Sequence, residues 1–156
     1  MAFEKSDRTV RYVTFELADN LFGIDILTIR EIVPEVQITR VQQAPEVVLG
    51  LMNLRGQILT VLDMGVLLGL DKVQTDNNSH IIIFKHRDVG FIVDQIGDVI
   101  AVGQHRIEPV PANIDAMVKT YLDHIIHLDD QIIMVLNGQK ILAYNPADHS
   151  GIKDIA

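Results

Sequence analysis

The sequence predicts an all-β protein made of two related barrel halves, and three observations carry that expectation. Its apolar stretches are short, β-branched and mostly bounded by turn residues. Several are apolar at every position, as in Ile132-Ile133-Met134-Val135-Leu136. In a chain of 156 residues such runs suit strands wrapped into closed or semi-closed barrels better than an open sheet. The third observation is that two sets of segments recur along the chain.

In chain order, residues 10–17 and 21–26 read as strands, joined by a hairpin turn at Ala18-Asp19-Asn20. Residues 58–62 form the next strand, and 64–68 a short helical turn behind it. Asp76-Asn77-Asn78-Ser79 is the most linker-like segment and falls near mid-chain. Strands at 81–84 and 89–93 follow, turned by Lys85 to Asp88, and then a strand at 132–136 with a second helical turn at 138–142. Residues 146–156 read as a polar, frayed tail.

The repeats are specific. Phe22-Gly23-Ile24 with Glu31-Ile32-Val33 matches Val89-Gly90-Phe91 with Asp98-Val99-Ile100, 67 residues on. Gln57-Ile58-Leu59-Thr60-Val61-Leu62-Asp63 matches Gln131-Ile132-Ile133-Met134-Val135-Leu136-Asn137, 74 residues on. Each of the latter precedes an aliphatic pair, Leu67-Leu68 and Ile141-Leu142, and a seven-residue insertion in the second half reconciles the two spacings. Aliphatic strands resemble one another by chance, but a matched glycine, acid and glutamine at fixed spacing favour duplication.

Composition removes whole classes of function. Hydrophobic residues make up 48% and mean hydropathy is +0.23, which excludes disorder. Aromatics are only 5% and Trp is absent, so Ile, Leu and Val must build the core. A net charge of −8 argues against a nucleic-acid or anionic-membrane binder, which needs a basic face. The absence of Cys removes disulfides, thiol catalysis and cysteine metal sites together. The N-terminus, MAFEKSDR, is charged where a signal peptide is apolar, and no apolar run approaches about 18 residues. A cytoplasmic protein is expected.

Catalytic machinery is not visible. Ser6, Ser79 and Ser150 lie outside any GxSxG elbow, and neither GxGxxG nor GxxxxGK[ST] occurs. His124 and His127 stand three apart and would diverge on a strand, while His127 and Asp129 would share a face but supply only two ligands. Asp19, Asp25, Asp63, Asp71, Asp88, Asp94 and Asp98 fall mostly at strand ends and turns. No catalytic residue, metal or cofactor is therefore expected. The alternative is a small β-barrel ligand-binding protein or enzyme using the acidic turns, which requires a deep pocket of convergent carboxylates and His.

One motif stands out. Asn53-Leu54-Arg55-Gly56 sets an Arg between two aliphatic stretches. It reads either as an exposed Arg in a hairpin turn or as a guanidinium that needs a carboxylate among apolar neighbours. Glu31, in Ile29-Arg30-Glu31-Ile32, is similarly flanked and is the expected partner. An oriented charged pair amid Ile, Val and Gly describes an interaction surface.

These residues resemble the CheW family of bacterial chemotaxis coupling proteins. The likeness runs from about Arg11 to Leu142 through Phe15-Glu16-Leu17, Phe22-Gly23-Ile24-Asp25-Ile26, Ile29-Arg30-Glu31-Ile32 and Ile38-Thr39-Arg40-Val41. It continues through Ala44-Pro45, Gly50, Asn53-Leu54-Arg55-Gly56-Gln57-Ile58, Val61-Leu62-Asp63, Val89-Gly90-Phe91-Ile92-Val93-Asp94 and Ile107-Glu108-Pro109. Each piece is weak alone; their order and spacing are specific. The resemblance implies a single CheW-like domain over 8–145, built from two five-stranded SH3-like β-barrels with short helical turns. The first barrel would span about 18–75 and the second about 80–142, with strands exchanged between them.

The resemblance also implies a non-catalytic adaptor between the cytoplasmic tips of chemoreceptors and the regulatory domain of a chemotaxis histidine kinase. Such a protein is cytoplasmic, is recruited to membrane receptor arrays, and contacts neither the membrane directly nor nucleic acid. Receptor-contacting positions carried over are Ile29, Glu31, Gly50, Arg55, Ile81 and Val99, lining a groove between the barrels. Ile38, Ile58 and Thr60 are expected on a kinase face of the first barrel. Thr60 stands where Pro is common in the family, His124 where Gly is usual, and Asn137 where Asp is usual. The chain ends soon after the domain, so a standalone scaffold with no receiver or kinase module is expected.

Overall fold

Two sheets of matching strand order organise the chain in its computed structural model, which describes residues 8–34 and 37–144. The expected tail at 146–156 lies outside the described residues. The strands are β1 (Thr9–Leu17), β2 (Asn20–Asp25), β3 (Ile29–Pro34), β4 (Val48–Leu54), β5 (Gln57–Asp63) and β6 (His80–Phe84). They continue as β7 (Val89–Val93), β8 (Gln95–Gly103), β9 (Ile107–Glu108), β10 (Leu122–His127) and β11 (Ile132–Leu136). Short helices α1 (Met64–Leu67), α2 (Ala116–Tyr121) and α3 (Gly138–Leu142) punctuate them.

One sheet runs β3-β6-β7-β5-β4, the other β8-β1-β2-β11-β10-β9. The duplication is written into the ladders. Val61 of β5 sits opposite Gly90 of β7 in one parallel pair, and Val135 of β11 opposite Gly23 of β2 in the other. These are repeat-equivalent residues. The β4–β5 register slips between Val48 and Gly50, and the β10–β11 register slips between Leu122 and His124, again at equivalent places. An isolated bridge, Thr39 to Leu51, stands in one sheet where Glu108 pairs with Ile125 in the other.

By sheet, the chain does not divide into consecutive halves. The first hairpin of each repeat (β1–β2 and β6–β7) is seated in the sheet that the other repeat completes. Residues near 20–25 thus join the later strands, and 80–93 join the earlier ones, because the parallel β2–β11 and β5–β7 ladders hold them there. The second sheet has six strands where five were expected, and among the described residues no ladder joins the edges of either sheet. Residues 76–79 connect two members of one sheet. They form a bonded turn rather than a loose linker: the buried Ser79 donates to the Gln74 carbonyl at 2.7 Å, and Asn78 N donates to Asp76 Oδ1 at 2.8 Å.

A single apolar cluster spans both sheets. At its centre Phe15 and Phe22 of one sheet meet Phe84 and Phe91 of the other, with Phe15–Phe91 centroids at 5.7 Å and Phe84–Phe91 at 5.5 Å. Such tilted ring contacts add to area burial.

β5 and β11 each end in a capped helix. Asp63 caps α1 by accepting from Val66 N, and its repeat partner Asn137 caps α3 by accepting from Lys140 N. Asp63 is fully buried and also accepts from Val73 N through both oxygens at 3.3 Å. Burial raises its pKa above the ordinary 3.8, and the backbone donors at Val66 and Val73 only partly oppose that. The folded state therefore holds this proton more tightly than the unfolded chain does. The associated stability is fully present below pH 3.8 and is lost as pH rises through the raised value. Asp63→Asn keeps one acceptor and loses the charge. It is expected to remain within about 1 kcal/mol of the parent at pH 7 and to remove that pH slope, whereas Asp63→Ala costs roughly 1–3 kcal/mol. Urea melts at pH 4 and pH 7 check both.

Candidate interaction surfaces

Arg55 owes its position to a two-residue hairpin turn. Leu54 and Gln57 pair across it, and the intervening Arg55 and Gly56 both have positive φ, 52° and 86°. That is a type I′ geometry, matched to strand twist but strained for a side-chain-bearing residue. Asn53 Oδ1 tightens it by accepting from Gly56 N at 2.9 Å. From this tip Arg55 Nη2 reaches Glu31 Oε1.

The pairing is informative because of where its ends lie. β3 and the β4–β5 hairpin occupy opposite sides of the five-stranded sheet, and β3 to β4 would be about 19 Å in a flat one. The ion pair therefore marks a sheet curled until its edges face, closed by side chains where no backbone ladder closes it. Both readings of Arg55 hold together: it is exposed in a hairpin turn, and it is paired. Side-chain exposure is 68% for Arg55 and 29% for Glu31, so the pair adds at most ~1 kcal/mol of stability.

Glu31 stands just past a bulge in β3, where Ile29 pairs with Phe84 and Glu31 with Ile83, leaving Arg30 as the extra residue. Arg30 Nε and Nη2 are buried without an acceptor among the described residues. An unmet guanidinium beside a paired one makes this strand edge rich in unspent hydrogen-bonding capacity.

The remaining expected positions separate into surface and support. Val99 is 55% exposed on β8, an edge of the other sheet. Ile81 is fully buried and Ile29 nearly so, because both point into the shared core. Gly50 is buried beneath the 38–39 segment: a Cβ there would collide with the Thr39 carbonyl and lie 2.8 Å from Ile38 Cγ2. Ile81 and Gly50 thus lie beneath the surface, under the residues exposed around them. On the other face, Ile58 is 54% exposed, and Thr60 shares its side of β5 and lines a cavity of about 220 Å3 with Val89 and Arg87. Ile38 is half-buried over Gly50.

Among the described residues four exposed large apolar side chains, Leu27, Val41, Met117 and Ile132, lie outside the expected positions. Ile132 is 50% exposed and stands 74 residues after Ile58, so the repeat itself pointed to it. Leu27, the most exposed large apolar residue, lies in the 3-10 turn Ile26–Thr28, and no sequence signal marked it. The histidines diverge on β10: His124 meets Tyr12 and Asp123, whereas His127 meets Glu108 at 3.1 Å. Among the described residues no cluster of three or more His, Cys, Asp or Glu is placed to hold a metal, and no helix is long and apolar enough to cross a membrane.

Comparison with known proteins agrees with this architecture. Residues 11–145 match the model of the CheW-like domain. The chain is 31% identical over 134 residues to the chemotaxis protein CheW of Klebsiella aerogenes, covering 85% of this chain and 81% of that one. It is 30% identical over 142 residues to the chemotaxis protein CheW of Helicobacter pylori, covering 89% and 85%. The crystal structure of scaffolding protein TtCheW from Thermoanaerobacter tengcongensis superimposes with a TM-score of 0.79 at 31% identity, covering 89% of this chain and 96% of that one. A duplicated two-sheet fold, a displayed Arg–Glu pair and a match spanning nearly the whole domain place this chain in the CheW family.

Proposed function

We propose that this protein is a non-catalytic scaffold of chemotaxis signalling, coupling the cytoplasmic tips of chemoreceptors to the regulatory domain of a chemotaxis histidine kinase. The observation that carries this reading is the Arg55–Glu31 pair, held out from strained backbone at a stability gain too small to explain it. In this reading Arg55, Glu31 and the unmet Arg30 orient an apolar helical hairpin, Val99 adds apolar contact, and Ile29, Ile81 and Gly50 set the shape from beneath. The kinase contact falls on the β5 face, with Ile58 as its exposed anchor and Ile38 and Thr60 beside it. The protein is cytoplasmic and joins membrane-bound arrays through its partners, with no membrane or nucleic-acid contact of its own.

The test is co-sedimentation of purified protein with a receptor cytoplasmic fragment and, separately, with the kinase regulatory domain. Both should bind. Ile58→Asp, a surface change, is expected to weaken kinase-domain binding by about thirtyfold, near 2 kcal/mol, and to leave receptor binding intact. Unchanged kinase binding would remove the β5 face from the account, and failure to bind either partner would remove the scaffold reading.

A further inference from the structure

The two repeats treat the ends of their parallel strands differently. After α1 the chain reverses at Gly69, whose φ is +74°: Gly69 N donates to Val66 O at 3.0 Å and Leu70 N to Gly65 O at 2.7 Å. This Schellman turn brings Val73 N back onto the Asp63 carboxylate and seals that end. Ala143 stands in the repeat position of Gly69 and keeps φ at −83°. Tyr144 N then bonds Ile141 O rather than Gln139 O, so the reversal does not form. Among the described residues nothing folds back over Asn137.

A cleft of about 180 Å3 lies open there, between β1, β2, β10 and the start of α3. Its polar lining converges from separate elements. Tyr12 Oη lies 3.1 Å from His124 Nε2, and His124 Nδ1 lies 3.3 Å from Asp123 Oδ2. Asp25 faces the same space, and its Oδ1 accepts from Leu27 N. Burial raises the Tyr12 pKa, and the charges of Asp25 and Asp123 raise it further, so both carboxylates are felt inside. His124 is the only basic group in the lining, and Lys140 on α3 turns its ammonium to the Leu122 carbonyl at 3.3 Å.

We propose that this cleft binds a small organic cation, an alkylammonium or guanidinium head group, between Asp25 and Asp123 with Tyr12 and His124 framing it. The first repeat meets its buried carboxylate with a backbone N–H; in this cleft one carboxylate from each repeat, Asp25 and Asp123, faces a side-chain-sized space that fits an N–H donor from outside. The cation comes either free in solution or as a Lys or Arg side chain of another protein. This site is independent of the partner surfaces above and shares none of their residues.

The experiment is a 15N-HSQC titration of the full chain with n-propylammonium, n-propylguanidinium, the blocked tripeptides acetyl-Gly-Lys-Gly-amide and acetyl-Gly-Arg-Gly-amide, and neutral n-propanol. Saturable shifts confined to residues 12, 25, 123–125 and 137–139 are expected with the cations and not with n-propanol. Tighter binding of a tripeptide assigns the cation to a protein side chain; equal or tighter binding of the free amine or guanidine assigns it to a small molecule. Asp25→Asn with Asp123→Asn, both of which keep their shape, should weaken binding about tenfold or more while thermal melts stay cooperative. No saturable shift with any cation, n-propanol acting equally, or full binding in the folded double variant would each overturn the proposal.

Discussion

Arg55→Glu is expected to abolish binding to chemoreceptor tips while leaving the protein folded. The substituted carboxylate would face Glu31, turning an attraction into a repulsion at a contact that joins the five-stranded sheet's edges. Because Arg55 is well exposed, the cost to the fold is small, about 0.5 kcal/mol. For the partner the loss is larger, since the only outward cation of this turn reverses sign where orientation is read. Pull-down with receptor fragments, beside circular dichroism of the same preparation, checks it. Undiminished binding in a folded variant would sink the site assignment.

Phe91→Ala should produce the largest loss of stability. Phe91 is fully buried, belongs to β7, and touches Phe15 of one sheet and Phe84 of the other. Large-to-small changes at such positions cost about 3–5 kcal/mol, or roughly 6–20 °C in Tm for a chain of this size. Because one cluster spans both sheets, the two should still melt together. Calorimetry showing two separated transitions would mean that the repeats fold as independent units, against the exchanged-hairpin topology.

The strands legible in the sequence were those at the centres of the sheets. β1, β2, β5, β6, β7 and β11 carry dense apolar runs because most of their side chains reach the core, and the sequence places each to within a residue or so. β3, β4, β8, β9 and β10 were passed over, and they hold the sheet edges or lie beside them. Their patterns are broken by Arg30, Glu31, Asn53, Gly97, Asp98, Asp123 and His127, which water or a bulge accommodates. The repeat was readable because Gly23 and Gly90 sit at equivalent positions in the parallel ladders that join the two repeats. What a linear pattern cannot show is which hairpin crosses into which sheet; the family resemblance implied an exchange of strands, and the ladders show that β1–β2 and β6–β7 are the hairpins exchanged.

The site divides along the same line. Arg55 and Glu31 could be paired in advance because Arg55 is a lone charge among aliphatic residues and Glu31 is a carboxylate similarly flanked by them. Gly50 and Ile81 came with the family resemblance, and the packing of Thr39 over Gly50 and the burial of Ile81 are legible only in the fold. The different turn after each repeat's last helix goes with a single Gly-to-Ala difference, at positions 69 and 143, whose consequence is visible only in the path of the backbone.

The central claim is that two partners are held by one non-catalytic chain, and reconstitution tests it most directly. Receptor fragments on vesicles, the kinase, and this protein are mixed, and kinase autophosphorylation is followed with and without receptor. The account predicts receptor-dependent activation only when this protein is present, lost with Arg55→Glu and with Ile58→Asp although both variants stay folded. Activation that is the same without this protein, or undiminished by both substitutions, would contradict it.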